Sequence, residues 1–407
     1  RTLPEALTEP PNPPDVESVD ELFMIGLHLH QYRQDARTPE SYWEEALRRD
    51  PGNARTNNSM GLLAYRRCDI EKAEQYFRSA IARLQRWNLN PYDSEAIYNL
   101  GLTLTAQGRY SEAYDALYKS IWSYTQRSAA YYALAEIDCI NGEEQTALKH
   151  LGLSLETNVH NAKAKILIAT ILRKQGHFVD AETLLKSIIM TDKLDFWAQF
   201  ELAHVFQAMG DETGATAIFK QVNGQMRGMY ETYLDIAFDY GNAGLYEEAL
   251  SVLAEGEKYC KDAPMMAYAY GYFLQKQNRN EEALTLFQEA ETRNPDYCFP
   301  SQLHEMLILR AAIRTLPNSA KACYYLGNLM YDKRQHEKAM ALWEKSVKQD
   351  ADFGMAWRNL GMAIFNREHN LEKAIACYER AQPLDAENAR TFYEYDQLLK
   401  RKNLSTE

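Results

Sequence analysis

The sequence predicts an all-α fold, a right-handed superhelical α-solenoid assembled from stacked helix pairs. Three observations lead there. A small residue directly follows a large apolar one at Gly61, Gly101, Ala135, Ala169, Ala203, Ala237, Gly271, Gly327 and Gly361, and the steps between these anchors are 40, 34, 34, 34, 34, 34, 56 and 34 residues. Twelve residues after the anchor an alanine recurs in eight units (Ala73, Ala113, Ala147, Ala181, Ala215, Ala249, Ala283, Ala339), and in the last unit it comes one residue late, at Ala374. Four residues beyond each alanine stands a bulky apolar side chain, from Phe77 and Leu117 through Phe287 and Trp343 to Tyr378.

Each element has a physical reason. Two antiparallel helices approach closely where they cross, so a small residue marks the contact and large ones flank it. The alanine and the bulky residue four positions later share one face of the second helix. A glycine seven after the anchor (Gly108, Gly142, Gly176, Gly210, Gly244) permits the left-handed turn that ends the first helix. One such pair cannot bury its own apolar stripe, so neighbours stack.

A helix–turn–helix unit recurring every 34 residues in register resembles the tetratricopeptide repeat (TPR) family, over most of Asn53–Gln382. The resemblance implies a scaffold for protein contacts, with the first helices of successive units lining a concave groove. In order, residues 1–20 read as a proline-rich arm or linker, 21–52 as a degenerate first repeat (Gly26, Trp43, Ala46, Pro51), and 53–295 as the main array. Six additional residues fall in or near RWNLNP. Residues 296–319 read as a single extra helix or half repeat, from about Gln302 to Thr315. Two further units occupy 320–387, and 388–407 form a capping helix and tail with Phe392, Tyr395 and Leu398 facing inward.

The groove stripe should fall six and three residues before each anchor and one and four after it, a single helical face. It names Tyr98, Tyr132, Glu136, Arg173, Trp197, Phe200, His204, Phe238, Tyr268, Tyr272, Tyr324, Asn328, Tyr331 and Arg358 as candidate binding residues. Tyrosine pairs a broad apolar face with a hydroxyl, which suits recognition. Equally, these rings could fill a tightly wound superhelix. A carboxylate clamp, a familiar use of TPR grooves, finds only Asn328, Asn359 and Arg358 near the last units. An extended peptide held in aromatic pockets fits the stripe better.

Composition narrows the classes. Asp and Glu exceed Lys and Arg by 57 − 45 = 12, a poor match for nucleic acid or an anionic membrane. No apolar run reaches the ~18–20 residues of a membrane span. Six scattered cysteines without a CxxC pair read as free thiols in a reducing, cytoplasmic setting. His28 and His30 lie two apart and diverge on a helix, with no third metal ligand near in sequence. His204, Glu201 and Glu136 could meet as an acid–base set, but polar lining accounts for them as well. No nucleotide, hydrolase or zincin motif occurs, so the chain reads as non-enzymatic, with no cofactor.

The stretches RRDPGNARTNNSMGLLAYRRCDIEKAEQYFRSAIARL, RWNLNPYDSEAIYNLGLTL and YYALAEIDCINGE further resemble the C-terminal TPR portion of large bacterial proteins. Those proteins carry an N-terminal β-rich domain similar to galactose mutarotases. The resemblance implies a carbohydrate-related context and an upstream domain, and Arg1 followed by a proline-rich arm is the expected look of a piece of a longer chain. Three roles follow: a scaffold for a peptide or protein partner, an intramolecular or oligomerising support for the upstream domain, or direct stacking of sugars on rings such as Trp197. A homo-oligomer is compatible with all three.

Overall fold

A methyl group added at Gly61 would lie 2.5 Å from the Phe77 ring, and one at Gly327 would lie 2.5 Å from the Trp343 indole. Such crossings organise the computed structural model, which describes residues 9–32 and 37–404. Its helices come in consecutive pairs, and no strand occurs among the described residues. The pairs are α1 (Val19–Tyr32) and α2 (Pro39–Arg49), α3 (Ala54–Arg66) and α4 (Ile70–Leu84), α5 (Glu95–Ala106) and α6 (Tyr110–Ser120), and α7 (Tyr124–Ile140) and α8 (Glu144–Thr157). They continue with α9 (Ala162–Lys174) and α10 (Phe178–Thr191), α11 (Phe196–Ala208) and α12 (Glu212–Met226), α13 (Tyr230–Gly241) and α14 (Tyr246–Cys260), and α15 (Pro264–Lys276) and α16 (Asn280–Ala290). A lone helix, α17 (Leu303–Thr315), precedes α18 (Ala320–Asp332), α19 (His336–Gln349), α20 (Gly354–Ala363), α21 (Leu371–Leu384) and α22 (Ala389–Leu404). The architecture is an α-solenoid of helix hairpins.

The repeat positions do the packing that their spacing implies. All nine alanines of the second helices, Ala73 to Ala374, are buried. Gly26 of α1 faces Trp43 of α2 at 2.3 Å from a notional Cβ, so the first hairpin closes by the same small-against-large contact. The left-handed residue that ends each first helix is glycine in five units, with φ between +74° and +82°. In four others the position is kept without glycine, by Cys68 (φ 58°), Asn278 (63°), Arg334 (60°) and His369 (55°). His369 comes one residue late because a π-helical turn at Ile364–Glu368 takes up an extra residue at the end of α20. The same slip explains why Ala374 and Tyr378 are each one position late.

The chain forms two compact units. Unit 1 runs to Asp138 and takes in Glu143–Ala164; unit 2 comprises Cys139–Gly142 and the chain from Lys165. In unit 1, residues of the proline-rich arm are tied to α2: Arg49 donates to the carbonyls of Val16 (2.7 Å) and Pro14 (3.1 Å). The rest of that arm, residues 1–8, and the tail at 405–407 lie outside the described residues. In unit 2, α17 is closed at its start by a reciprocal cap between Gln302 and Glu305. It packs against α15 and α18. On α22, Leu398 is buried and Tyr395 stacks on Tyr378, with ring centroids 6.2 Å apart. Phe392, expected to face inward, is 40% exposed; Thr391 is the buried residue at that turn.

Candidate functional site

The stripe of candidate binding residues separates into two kinds. In unit 1 it stays half-buried. Tyr98 of α5 and Tyr132 and Glu136 of α7 keep part of their surface in solvent, as does Tyr65 of α3. These residues recur on the same face of successive first helices. Burial, with the Glu136 carboxylate adding to it, pushes the Tyr98 hydroxyl up to about 12. Tyr65 rises to about 12 for the same leading reason, with Tyr98, Cys68 and Glu136 contributing. Both phenols are therefore neutral donors at physiological pH, set beside a carboxylate.

In unit 2 most of the stripe is inside the protein. Phe200 and Tyr268 have no exposed surface, and Trp197, His204, Phe238 and Tyr324 are buried as well. Trp197 meets the Tyr240 ring edge-on at 5.5 Å. Tyr268 packs against Phe287 and Tyr325, and its hydroxyl donates to Glu291. Phe238 stacks on Tyr272 at 5.7 Å and on His304 of α17 at 4.5 Å. Tyr324 lies edge-on to Phe353 at 4.8 Å. These six side chains fill space between helices and offer no face to a ligand in this arrangement. Of the two readings the stripe allowed, wall or filling, the burial of these six is that of filling: successive hairpins of unit 2 close on one another.

The polar members of the stripe are engaged by the chain itself. Arg173 of α9 donates to Glu201 at 2.6 Å and to Glu248 of α14 at 3.1 Å. Tyr240 donates to Glu201 at 2.7 Å, and His204 Nε2 lies 3.1 Å from the Ser251 hydroxyl of α14. Burial pulls the Glu201 carboxyl upward, but His204, whose Nδ1 lies 3.8 Å away, and the charge of Arg173 overcome it and hold the group below its ordinary range. Nearby, the backbone of Ile140 approaches a notional Cβ on Gly244 to 3.1 Å. Thus the start of α14 lies over the inward ends of α9 and α11. His204 and Glu201 do meet, inside a network that also ties in Arg173 and Tyr240. Spacing identified Arg173 and His204, but Glu248, Ser251 and Tyr240 lie at other repeat positions and carried no signal.

At the last units, Asn328 Oδ1 accepts from Trp343 Nε1 (3.1 Å) and from Asn359 (2.9 Å), while Arg358 makes two bonds of 2.7 Å to Glu394 of α22. The carboxylate that a clamp would take from a partner is supplied here by the capping helix. Tyr331 is half-buried, tilted over Trp343 at 5.4 Å. His28 lies tilted against Tyr32, whereas His30 approaches Arg66 at 2.7 Å, so the two histidines diverge. Among the described residues, no group of three or more His, Cys, Asp or Glu side chains could hold a metal ion, and no helix is long and apolar enough to cross a membrane. All six cysteines are free thiols.

Residues 51–122 match one tetratricopeptide-repeat family profile, and residues 234–297 and 324–389 match a second with the same description. Among solved structures, Pseudomonas aeruginosa PilF is similar at 20% identity, the match covering 52% of this chain and 94% of that one with a TM-score of 0.45. A tetratricopeptide repeat protein from Parabacteroides merdae is similar at 17% identity over 64% and 99% of the two chains, TM-score 0.42. A structure of Naa15/Naa10 bound to HypK-THB is similar at 14% identity over 86% and 66%, TM-score 0.31. At these identities no role transfers to this chain, and nothing in the matches supports the mutarotase-linked resemblance. The profiles fall on the same hairpins as the glycine and alanine crossings, and the chain carries tetratricopeptide repeats, a repeat type that generally mediates contact between proteins.

Proposed function

We propose that the chain is a non-enzymatic interaction scaffold that holds an extended segment of a protein partner along the shared face of α3, α5 and α7. The observation that supports this is the half-exposed row of Tyr65, Tyr98 and Tyr132 beside Glu136, in contrast to the interior stripe of unit 2. Neutral phenols give broad contact area and a hydrogen bond each, the composition of interface anchors. Glu136 favours a lysine or arginine in the bound segment, since a carboxylate in a partly buried wall attracts its opposite charge. Six free cysteines suit a reducing compartment, the cytoplasm in this reading. A sugar-stacking role at Trp197 has no support, because that indole is packed against Tyr240.

The test is selection of a random peptide library on the immobilised chain. Wild type should enrich segments carrying a basic residue. Tyr98→Ala/Tyr132→Ala should lose the enrichment, and Glu136→Gln should lose only the basic preference. Absence of enrichment on wild type, or enrichment that survives the double change, would overturn the reading.

A further inference from the structure

The connections within hairpins are polar, as at Gln107–Arg109 and Asn141–Glu143, and so is Asp50–Asn53 between α2 and α3, but two connections between hairpins of unit 1 carry large exposed apolar side chains. Between α4 and α5, Trp87, Leu89 and Tyr92 stand in solvent at 87%, 71% and 98% exposure. Where α6 gives way to α7, Trp122 and Tyr124, the first residue of α7, are each 66% exposed. Because successive helices alternate in direction, both connections lie at the same end of the stacked hairpins. Beside Trp122 and Tyr124 opens a hollow of about 370 Å³, also lined by Arg127, Tyr131, Leu153 and Glu156. Its floor is firm: Tyr131 stacks on His150 at 5.5 Å, and His150 Nδ1 is 2.6 Å from the Asp138 carboxylate.

We propose that this end is the interface of a two-fold dimer, in which the Trp87–Tyr92 loop of one copy fills the Trp122 hollow of a second copy and the reverse. The occupant is argued from self-complementarity. A two-fold contact needs one patch that carries both a projecting part and its receptacle, and this unit presents the two on neighbouring connections of the same end. The hollow is large enough for an indole ring. At roughly 150–250 Å² per aromatic side chain, the four exposed rings with Leu89 supply most of the ~800 Å² per partner of a standard interface. Charges also match in both directions. Arg86 and Asp93 flank the loop and Arg127 and Glu156 flank the hollow, so a two-fold can set Arg86 against Glu156 and Asp93 against Arg127. Such rim pairs fix register more than they add affinity.

The experiment is sedimentation equilibrium of the full chain from low to high micromolar concentration. Wild type should populate a dimer. Trp87→Ala/Tyr92→Ala should weaken it by about 100-fold or more, the loss expected of paired aromatic anchors. Both side chains are exposed, so the circular dichroism spectrum should not change. Arg86→Glu and Glu156→Lys should each weaken association, and the two together should restore it, a rescue that no folding defect would give. A wild type that stays monomeric throughout overturns the proposal, as does a dimer indifferent to Trp87→Ala/Tyr92→Ala. Growth into longer polymers would also overturn it, because it shows that the contact does not close. The tyrosine wall is untouched by these changes, so peptide selection on the same variants separates failure here from failure of the binding role.

Discussion

Arg173 and Glu248 lie 75 residues apart in sequence and 3.1 Å apart in space, joining α9 to α14. The same guanidinium bonds Glu201, which has no exposed surface. Arg173→Met would leave that carboxylate buried without its charge partner, a loss of about 3–5 kcal/mol. The urea midpoint should fall accordingly, and adding Glu201→Gln should recover part of the loss by removing the stranded charge. A single variant with an unchanged midpoint would show that the network does not hold α14 in place.

Acid should loosen unit 2 in two stages. Burial lowers the His304 imidazole from its ordinary 6.5 to about 4. Asp235 lies 3.8 Å away and would favour protonation, but it is half-exposed and beyond hydrogen-bonding distance, so burial against Phe238 wins. A histidine lowered on folding contributes stability that is complete above 6.5 and is lost as the pH falls towards 4, here about 3 kcal/mol in full. Glu201 and Glu248 are also held low, and their contribution disappears at still lower pH, below the ordinary carboxylate range. His304→Phe keeps the stack and removes the titration. Its melting temperature should change less than that of wild type between pH 7 and pH 4.5, and an identical decline in both proteins would count against this assignment.

The left-handed residues allow a test in both directions. A Cβ at Gly108 would meet nothing within 4 Å, so Gly108→Ala reports the backbone preference alone. It should cost about 1 kcal/mol, and Arg334→Gly, at φ 60°, should gain a similar amount. Thermal melts would check both signs.

At the hairpin crossings sterics dominate instead. Gly61→Ala would push a methyl against Phe77 and should cost about 1–3 kcal/mol. Adding Phe77→Leu should return part of that cost, whereas Phe77→Leu alone destabilises by leaving a gap. The four melting temperatures form a double-mutant cycle; additive changes would mean that the two residues do not share the crossing.

The hairpins were legible in the sequence because each crossing forces a small residue, and each small residue fixes the positions of the alanine and the bulky side chain on the second helix. Trp343 and Phe287 could be placed against Gly327 and Gly271 from spacing alone. The left-handed turns were legible only where glycine marked them; Cys68 and Arg334 adopt the same geometry without the signal. What the stripe became was not legible. Periodicity shows which face Phe200, Tyr268 and Tyr98 share, but whether that face stays open depends on how neighbouring hairpins lean on one another. No local residue pattern encodes that lean, so Tyr98 remains at a surface while Tyr268 is interior.

The π-helical turn at Ile364–Glu368 bears on anyone recombining these hairpins. Because the additional residue is absorbed before His369, α21 enters in phase only when the count is restarted there. A chimaera cut at uniform 34-residue intervals would swing the final hairpin by about 100° about its axis, presenting Lys373 where Ala374 belongs. A junction placed at His369 would join without that rotation.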